Sequence, residues 1–167
     1  KIIDNNWIGH NTDIGGMKSV IRSLCDKDLL NDGFEVVVLG TGSVARSVMI
    51  AIDDFDFKNI EVRYHSSSGA SSFVEWHKSA DLRQPYAISR LSDFLSESSK
   101  LFINCLTIGN ASNFIHPSKS VLIDLKYPVD APCLNDAVYV PGTALLIEQG
   151  ALAFKWWFGG NCVRSVM

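Results

Sequence analysis

The run Phe34-Glu-Val-Val-Val-Leu39, followed at once by Gly40-Thr-Gly-Ser43, constrains this chain more than any other stretch. A nearly unbroken series of β-branched residues suits a strand buried on both faces, which occurs where helices cover a parallel sheet. The glycines stop the strand abruptly, and residues 44–53 resume with helical periodicity. Strand, glycine turn and helix in this order open a βαβ unit. Gly40-x-Gly42-x-x-Ala45 also has the spacing of a dinucleotide turn. Gly40 permits the tight turn, Gly42 lets a pyrophosphate approach the backbone, and Ala45 keeps helix and strand close. Ser43, Val44 and Ala45 then present the free N–H groups of a helix N-terminus. A plain structural turn uses the same glycines, so the rest of the chain has to decide.

That rest alternates. Residues 14–30 read as an amphipathic helix through Ile14, Met17, Val20, Ile21 and Leu24, with Thr12 or Asp13 as its cap and Asn31-Asp32-Gly33 as its break. Residues 59–64, 100–106, 120–125 and 137–140 read as further strands, and 91–99 and 143–157 as helices. The serine-rich piece 66–72 reads as a loop running into a helix around 72–79. The expected architecture is one α/β domain over residues 1–167, of Rossmann type, with three αβα layers around a mostly parallel sheet.

Composition excludes several alternatives. With 167 residues, 47% of them hydrophobic, the chain can bury a sizeable core. A net charge of −3 gives no electrostatic reason to expect nucleic acid. The most apolar stretch, 144–158, is broken by Glu148 and Lys155 and is too short to span a bilayer, so no membrane contact is expected. Cys25, Cys105, Cys133 and Cys162 have no metal-site or CxxC spacing. They read as the scattered thiols of a cytoplasmic protein, and no metal is expected.

An NAD site expects an acid at the end of the second strand. Here that end reads Val62-Arg63-Tyr64-His65-Ser66-Ser67, without one. Arg63, His65 and Ser66 are candidates to meet a 2′-phosphate, which favours NADP and leaves NAD open; the plainer alternative is that Arg63 and His65 are merely solvated.

Five segments carry a family resemblance together. Gly9-x-Asn11-Thr12-Asp13-x-x-Gly16 and Gly40-Thr-Gly-Ser-Val-Ala-Arg46 are followed, in order, by Asn104-Cys-Leu-Thr107-Ile-Gly109, Asp124-Leu-Lys-Tyr127-Pro128 and Gly142-Thr-Ala-Leu145-Leu146-x-x-Gln149 with Phe154 and Trp157. In this order they resemble the second half of a shikimate dehydrogenase. The resemblance implies reduction of 3-dehydroshikimate to shikimate with NADPH, at a site between a Rossmann domain and an N-terminal substrate domain that these residues do not include. It implies that Asp13 is the catalytic aspartate, partner of a lysine in that other domain. It places Asn11, Tyr127 and Gln149 on the substrate side and Gly40, Gly42, Ser43, Val44 and Ala45 around the pyrophosphate. Leu106, Thr107, Gly109 and Gly142 fall beside the nicotinamide. A homodimer is compatible with it.

The departures also count. The Asn-Arg-Thr whose arginine holds the 2′-phosphate aligns with Tyr64-His65-Ser66, and the second glycine of the family's pair is Ser43. A divergent member is therefore expected. The alternatives are an NAD-dependent quinate/shikimate dehydrogenase and a nucleotide-binding module without catalysis.

Carbonyl reduction requires a proton donor at the developing alkoxide, and a lysine–aspartate pair serves both directions of such a reaction. Asp13 supplies half of it. The competing role for Asp13 is a helix cap. Trp156, Trp157 and Phe158 read as core or interdomain packing, some of it exposed where a partner domain is absent.

Overall fold

The structure, a computed structural model, describes residues 2–31, 33–91, 100–107, 120–126 and 137–160. It opens on a small antiparallel hairpin of β1 (Ile2–Ile3) and β2 (Asn6–Trp7). Its two turn residues, Asp4 and Asn5, take φ of 48° and 66°. Short polar side chains tolerate this left-handed backbone in two-residue hairpin turns.

Helix α1 (Thr12–Cys25) buries Met17, Val20, Ile21 and Leu24, the stripe that the periodicity predicts. Its cap is Asn11, not Thr12 or Asp13: the Asn11 side-chain oxygen accepts from the N–H groups of Asp13 and Ile14. The helix also ends before residue 30. Asp28 turns left-handed and the Leu29 N–H reaches back to the Leu24 carbonyl at 3.0 Å. Leu30 is buried beyond the helix end, so apolar spacing continued past the backbone's stop.

The next elements are β3 (Glu35–Leu39), α2 (Ser43–Ile52) and β4 (Asn59–Tyr64). Helix α3 (Ser67–Ser79) begins within the serine-rich piece, which is therefore helix rather than loop. Ser66 caps it by accepting from the Gly69 N–H at 3.2 Å, and Ser71 bonds the Ser67 carbonyl one turn back. Serines that favour caps and turns in isolation are absorbed here into a first helical turn. Strand β5 (Ala87–Arg90) was not expected. It is four residues long, follows Pro85 and lies at a sheet edge, so it lacks the apolar signature of a central strand. Then come β6 (Lys100–Asn104), β7 (Val121–Asp124), β8 (Val138–Pro141) and α4 (Gly142–Phe158). The helix expected over 91–99 lies outside the described residues.

The main sheet has the order β5-β4-β3-β6-β7-β8, and each neighbouring pair is parallel. The α/β Rossmann-type fold is thus as expected, with a sheet parallel throughout its six strands rather than mostly so. The chain starts at the centre, builds out to β5, then returns to β6 and builds out to β8. One core unites Val36, Val38, Ile60, Val62, Leu101 and Ile103 with residues of all four helices, Ile21, Met49, Phe73 and Leu145 among them. Val37, Leu39, Phe102 and Leu122 are buried together on the opposite face. Among the described residues no helix is long and apolar enough to cross a membrane.

Candidate functional site

Strand order reverses between β3 and β6, and the crevice at their C-terminal ends is where open α/β sheets take ligands. Gly40 sits over it with φ of 109°. Its N–H donates to the Arg63 carbonyl at 2.8 Å. A methyl added there would stand 3.3 Å from the Cys105 carbonyl oxygen. Backbone geometry and close approach both therefore require glycine. Gly42 differs: it is the extended N-cap residue of α2, and among the described residues a methyl added there would meet nothing within 4 Å. No side chain caps α2 and no acid stands in its first turn. The Arg46 N–H is the first to find a helical acceptor, the Gly42 carbonyl at 3.2 Å. The N–H groups of Ser43, Val44 and Ala45 thus precede the helical ladder, and Ser43 and Val44 are exposed.

Beside this turn lies a cavity of about 280 Å³ lined by Val44, Cys105, Leu106, Thr107, Leu125 and Lys126. Two buried polar residues behind it hold its lining segments in place. Asn104 donates to the Asp124 carboxylate at 2.8 Å, and Asn104 and Asp124 in turn accept from the N–H groups of Leu106 and Lys126. Sequence reasoning gave this pair no role. In sequence the two residues open separate family-resembling segments, each at the end of an apolar strand, and nothing there pairs them. Burial, then the nearby Asp124 charge, pushes the Cys105 thiol far up, so it lines the wall as a neutral group.

At the end of β4 the structure separates the three 2′-phosphate candidates. Arg63 is paired with Glu61, its Nε and Nη2 standing 3.0 and 3.1 Å from the two carboxylate oxygens. Glu61 also accepts from Ser89 at 2.6 Å. Burial would raise the Glu61 carboxyl, but the hydrogen bonds from Ser89 and Arg63 outweigh it and hold the group below its ordinary range. Arg63 thus already has an acidic partner at the end of β4. His65 and Ser66 are exposed. The first turn of α3 packs on the glycine turn so closely that a methyl on Gly69 would lie 2.7 Å from the Thr41 hydroxyl.

A second cluster forms where α1 meets α4. With Asn11 serving as the cap, the Asp13 carboxylate is available to accept from the Gln149 amide at 2.5 Å, across 136 positions of sequence. Two glycines let the helices come this close. A methyl on Gly15 would stand 2.7 Å from a Leu152 methyl, and one on Gly16 would stand 3.0 Å from both Gln149 and Leu145. Asn11 also donates to Ser47 of α2 at 3.3 Å. His10 stacks on Trp156 at 4.6 Å. Gly142, buried, starts α4 directly from β8. Tyr127 and Gly109 lie outside the described residues. Along α4, Leu146, Phe154, Trp157 and Phe158 are exposed, the last by 74%.

The parallel sheet, the glycine turn at the reversal of strand order and the uncapped helix behind it define a Rossmann-type α/β domain with the architecture of a dinucleotide site. Comparison with known proteins narrows this class. No family model matches the chain. The shikimate dehydrogenase (NADP(+)) of Dictyoglomus thermophilum is 28% identical over 168 residues, covering 93% of this chain and 59% of its own length. A solved shikimate dehydrogenase in complex with NADP+ superposes with a TM-score of 0.77 at 24% identity, over 99% of this chain and 62% of that one. The ligand-free 5-ketofructose reductase of Gluconobacter sp. strain CHM43 gives 0.75 at 20% identity, over 99% and 64%. The resemblance to the shikimate dehydrogenases holds along nearly the whole chain, at the distance of a divergent relative. The chain spans about three fifths of the length of the curated relatives it matches.

Proposed function

We propose that residues 1–167 are the NADP-binding domain of a shikimate dehydrogenase-like oxidoreductase that interconverts 3-dehydroshikimate and shikimate in the cytoplasm, within the pathway to chorismate. The observation that carries this reading is the contact of Asp13 with Gln149. Two residues assigned to one site by separate motifs meet there, at a helix crossing that two glycines make possible. Curated relatives bearing the name shikimate dehydrogenase (NADP(+)) support it.

The residues present fit the cofactor. The uncapped first turn of α2 would hold the pyrophosphate, and Val44, Leu106 and Thr107 would line the nicotinamide side. Bound NADPH would supply the hydride. Asp13 would orient and charge-balance the lysine that passes a proton to the developing alkoxide, while Gln149 holds the Asp13 carboxylate in place. That lysine belongs to a substrate domain, against which the exposed Leu146–Phe154–Trp157–Phe158 face of α4 would dock.

Calorimetric titration of the chain with NADP+ is expected to show binding. Shikimate and NADP+ together are expected to give little or no growth of the reduced-nicotinamide absorbance. No binding of either nicotinamide dinucleotide would overturn the proposal, and robust turnover would overturn the need for a second domain. The Arg63–Glu61 pair favours one second reading, an NAD-linked enzyme acting on quinate or shikimate. Parallel titration with NAD+ separates the two.

A further inference from the structure

We propose that Arg90 selects the 2′-phosphate in this chain, in place of Arg63; this rests on the glycine turn holding a dinucleotide. Strand register carries the argument. Arg90 ends β5 directly beside Tyr64, the last residue of β4, and the Leu91 N–H donates to the Tyr64 carbonyl at 2.8 Å. Adjacent strands lie about 4.8 Å apart, so an extended arginine reaches past the end of β4. Ser89 shares a sheet face with Glu61 and Arg63, as its hydrogen bond to Glu61 shows. Side chains alternate along a strand, so Arg90 leaves by the other face. That is the face on which Ile88 joins Phe73 of α3 in the core.

Along that route the surface suits an anion. Arg90 is exposed, and no ion pair engages it among the described residues. Between Val62 and Val74 the chain has no acid, and the Glu61 carboxylate is bound on the opposite face. His65, Ser66, Ser67 and Ser68 stand exposed at the start of α3. The contact of Gly69 with Thr41 ties this turn to the phosphate loop, so a ribose continuing from the pyrophosphate toward β4 passes beside it. A guanidinium offers a planar, permanently charged fork that meets two phosphate oxygens at once.

The test is calorimetry with NADP+ and NAD+ on the wild-type chain, Arg90→Ala and Arg90→Lys, with a thermal melt to confirm folding. The wild type is expected to prefer NADP+. Arg90→Ala is expected to weaken NADP+ about 10- to 100-fold, as for the loss of one or two charged hydrogen bonds, and to leave NAD+ within about 3-fold. Arg90→Lys keeps the charge without the fork and should fall between them. A wild type without preference for NADP+, or an Arg90→Ala variant with an unchanged NADP+/NAD+ ratio, overturns the assignment while leaving dinucleotide binding intact. A wild type that binds neither nucleotide overturns the underlying reading and this inference with it.

Discussion

The N-terminus of α1 is joined to the second turn of α2 by the hydrogen bond from Asn11 to Ser47, and the starts of these two helices are finished in opposite ways. At α1 the Asn11 side chain accepts from two N–H groups. At α2 the same position is Gly42, which has no side chain to offer and, among the described residues, no neighbour within 4 Å of where one would stand. Both helices have the same unsatisfied donors and the same positive end of the dipole. In α1 the protein satisfies them, which fixes the first turn and leaves Asp13 to meet Gln149. In α2 no side chain among the described residues satisfies them. Capping by its own chain marks a helix end that positions a side chain. The uncapped end is the one suited to holding an anion.

Making α2 resemble α1 is the strongest way to break this contrast. Gly42→Asp would supply the missing cap. Folding stability should hold or rise by up to about 1 kcal/mol, because nothing crowds the position. Affinity for NADP+ should fall by more than about 100-fold, or about 2.7 kcal/mol, by calorimetry. Equal loss of fold and binding would show that the open end is not a ligand site. Gly40→Ala tests the turn itself: a side chain at φ of 109° should cost about 2 kcal/mol in urea unfolding. Gly16→Ala acts on the other cluster. The added methyl, 3.0 Å from Gln149 and Leu145, should also cost about 1–2 kcal/mol by parting α1 from α4, leaving NADP+ affinity within a few-fold. Asn11→Ala removes the α1 cap and should cost about 1 kcal/mol in thermal unfolding. An unchanged melting temperature would show that the cap contributes nothing.

The smallest effect concerns pH. Glu61 titrates below its ordinary value in the folded chain, so its pairing stabilises the fold above the usual glutamate pKa of about 4.3. That contribution is lost as pH falls through the lower folded value. The melting-temperature gap between wild type and Glu61→Gln should stay level from neutral pH to about 5 and narrow only below about 4. A gap that closes by pH 5 would contradict the pairing.

Particular residues show which features can be read without the structure. Glu35–Leu39 and Asn59–Tyr64 are legible because burial on both faces demands apolar, β-branched residues whatever lies next to them. The glycine turn is legible because few residues other than glycine tolerate its backbone. Ser66–Ser72 misleads because serine prefers caps and turns, and only Phe73 packing in the core reveals the helix as an element. Edge strand β5 is missed because an edge position asks little of its residues. At the site, Asp13 and Gln149 are legible only as members of separate motifs. The pairing of Arg63 with Glu61 is not legible, because the two lie two residues apart on the same strand face, a relation that requires knowing that the segment is a strand.

Whatever depends on a few neighbouring residues is therefore written in the chain: the central strands, the glycine turn, the polar Asn11–Asp13 turn and the α/β class. Three matters were settled only by folding. They are which side chain caps α1, which acid Arg63 pairs with, and which residues meet where α1 crosses α4. The physical reason is that caps, ion pairs and anion sites compete for the same donors and acceptors. The winner depends on distances of a few ångströms between segments that are, like Asp13 and Gln149, far apart in sequence.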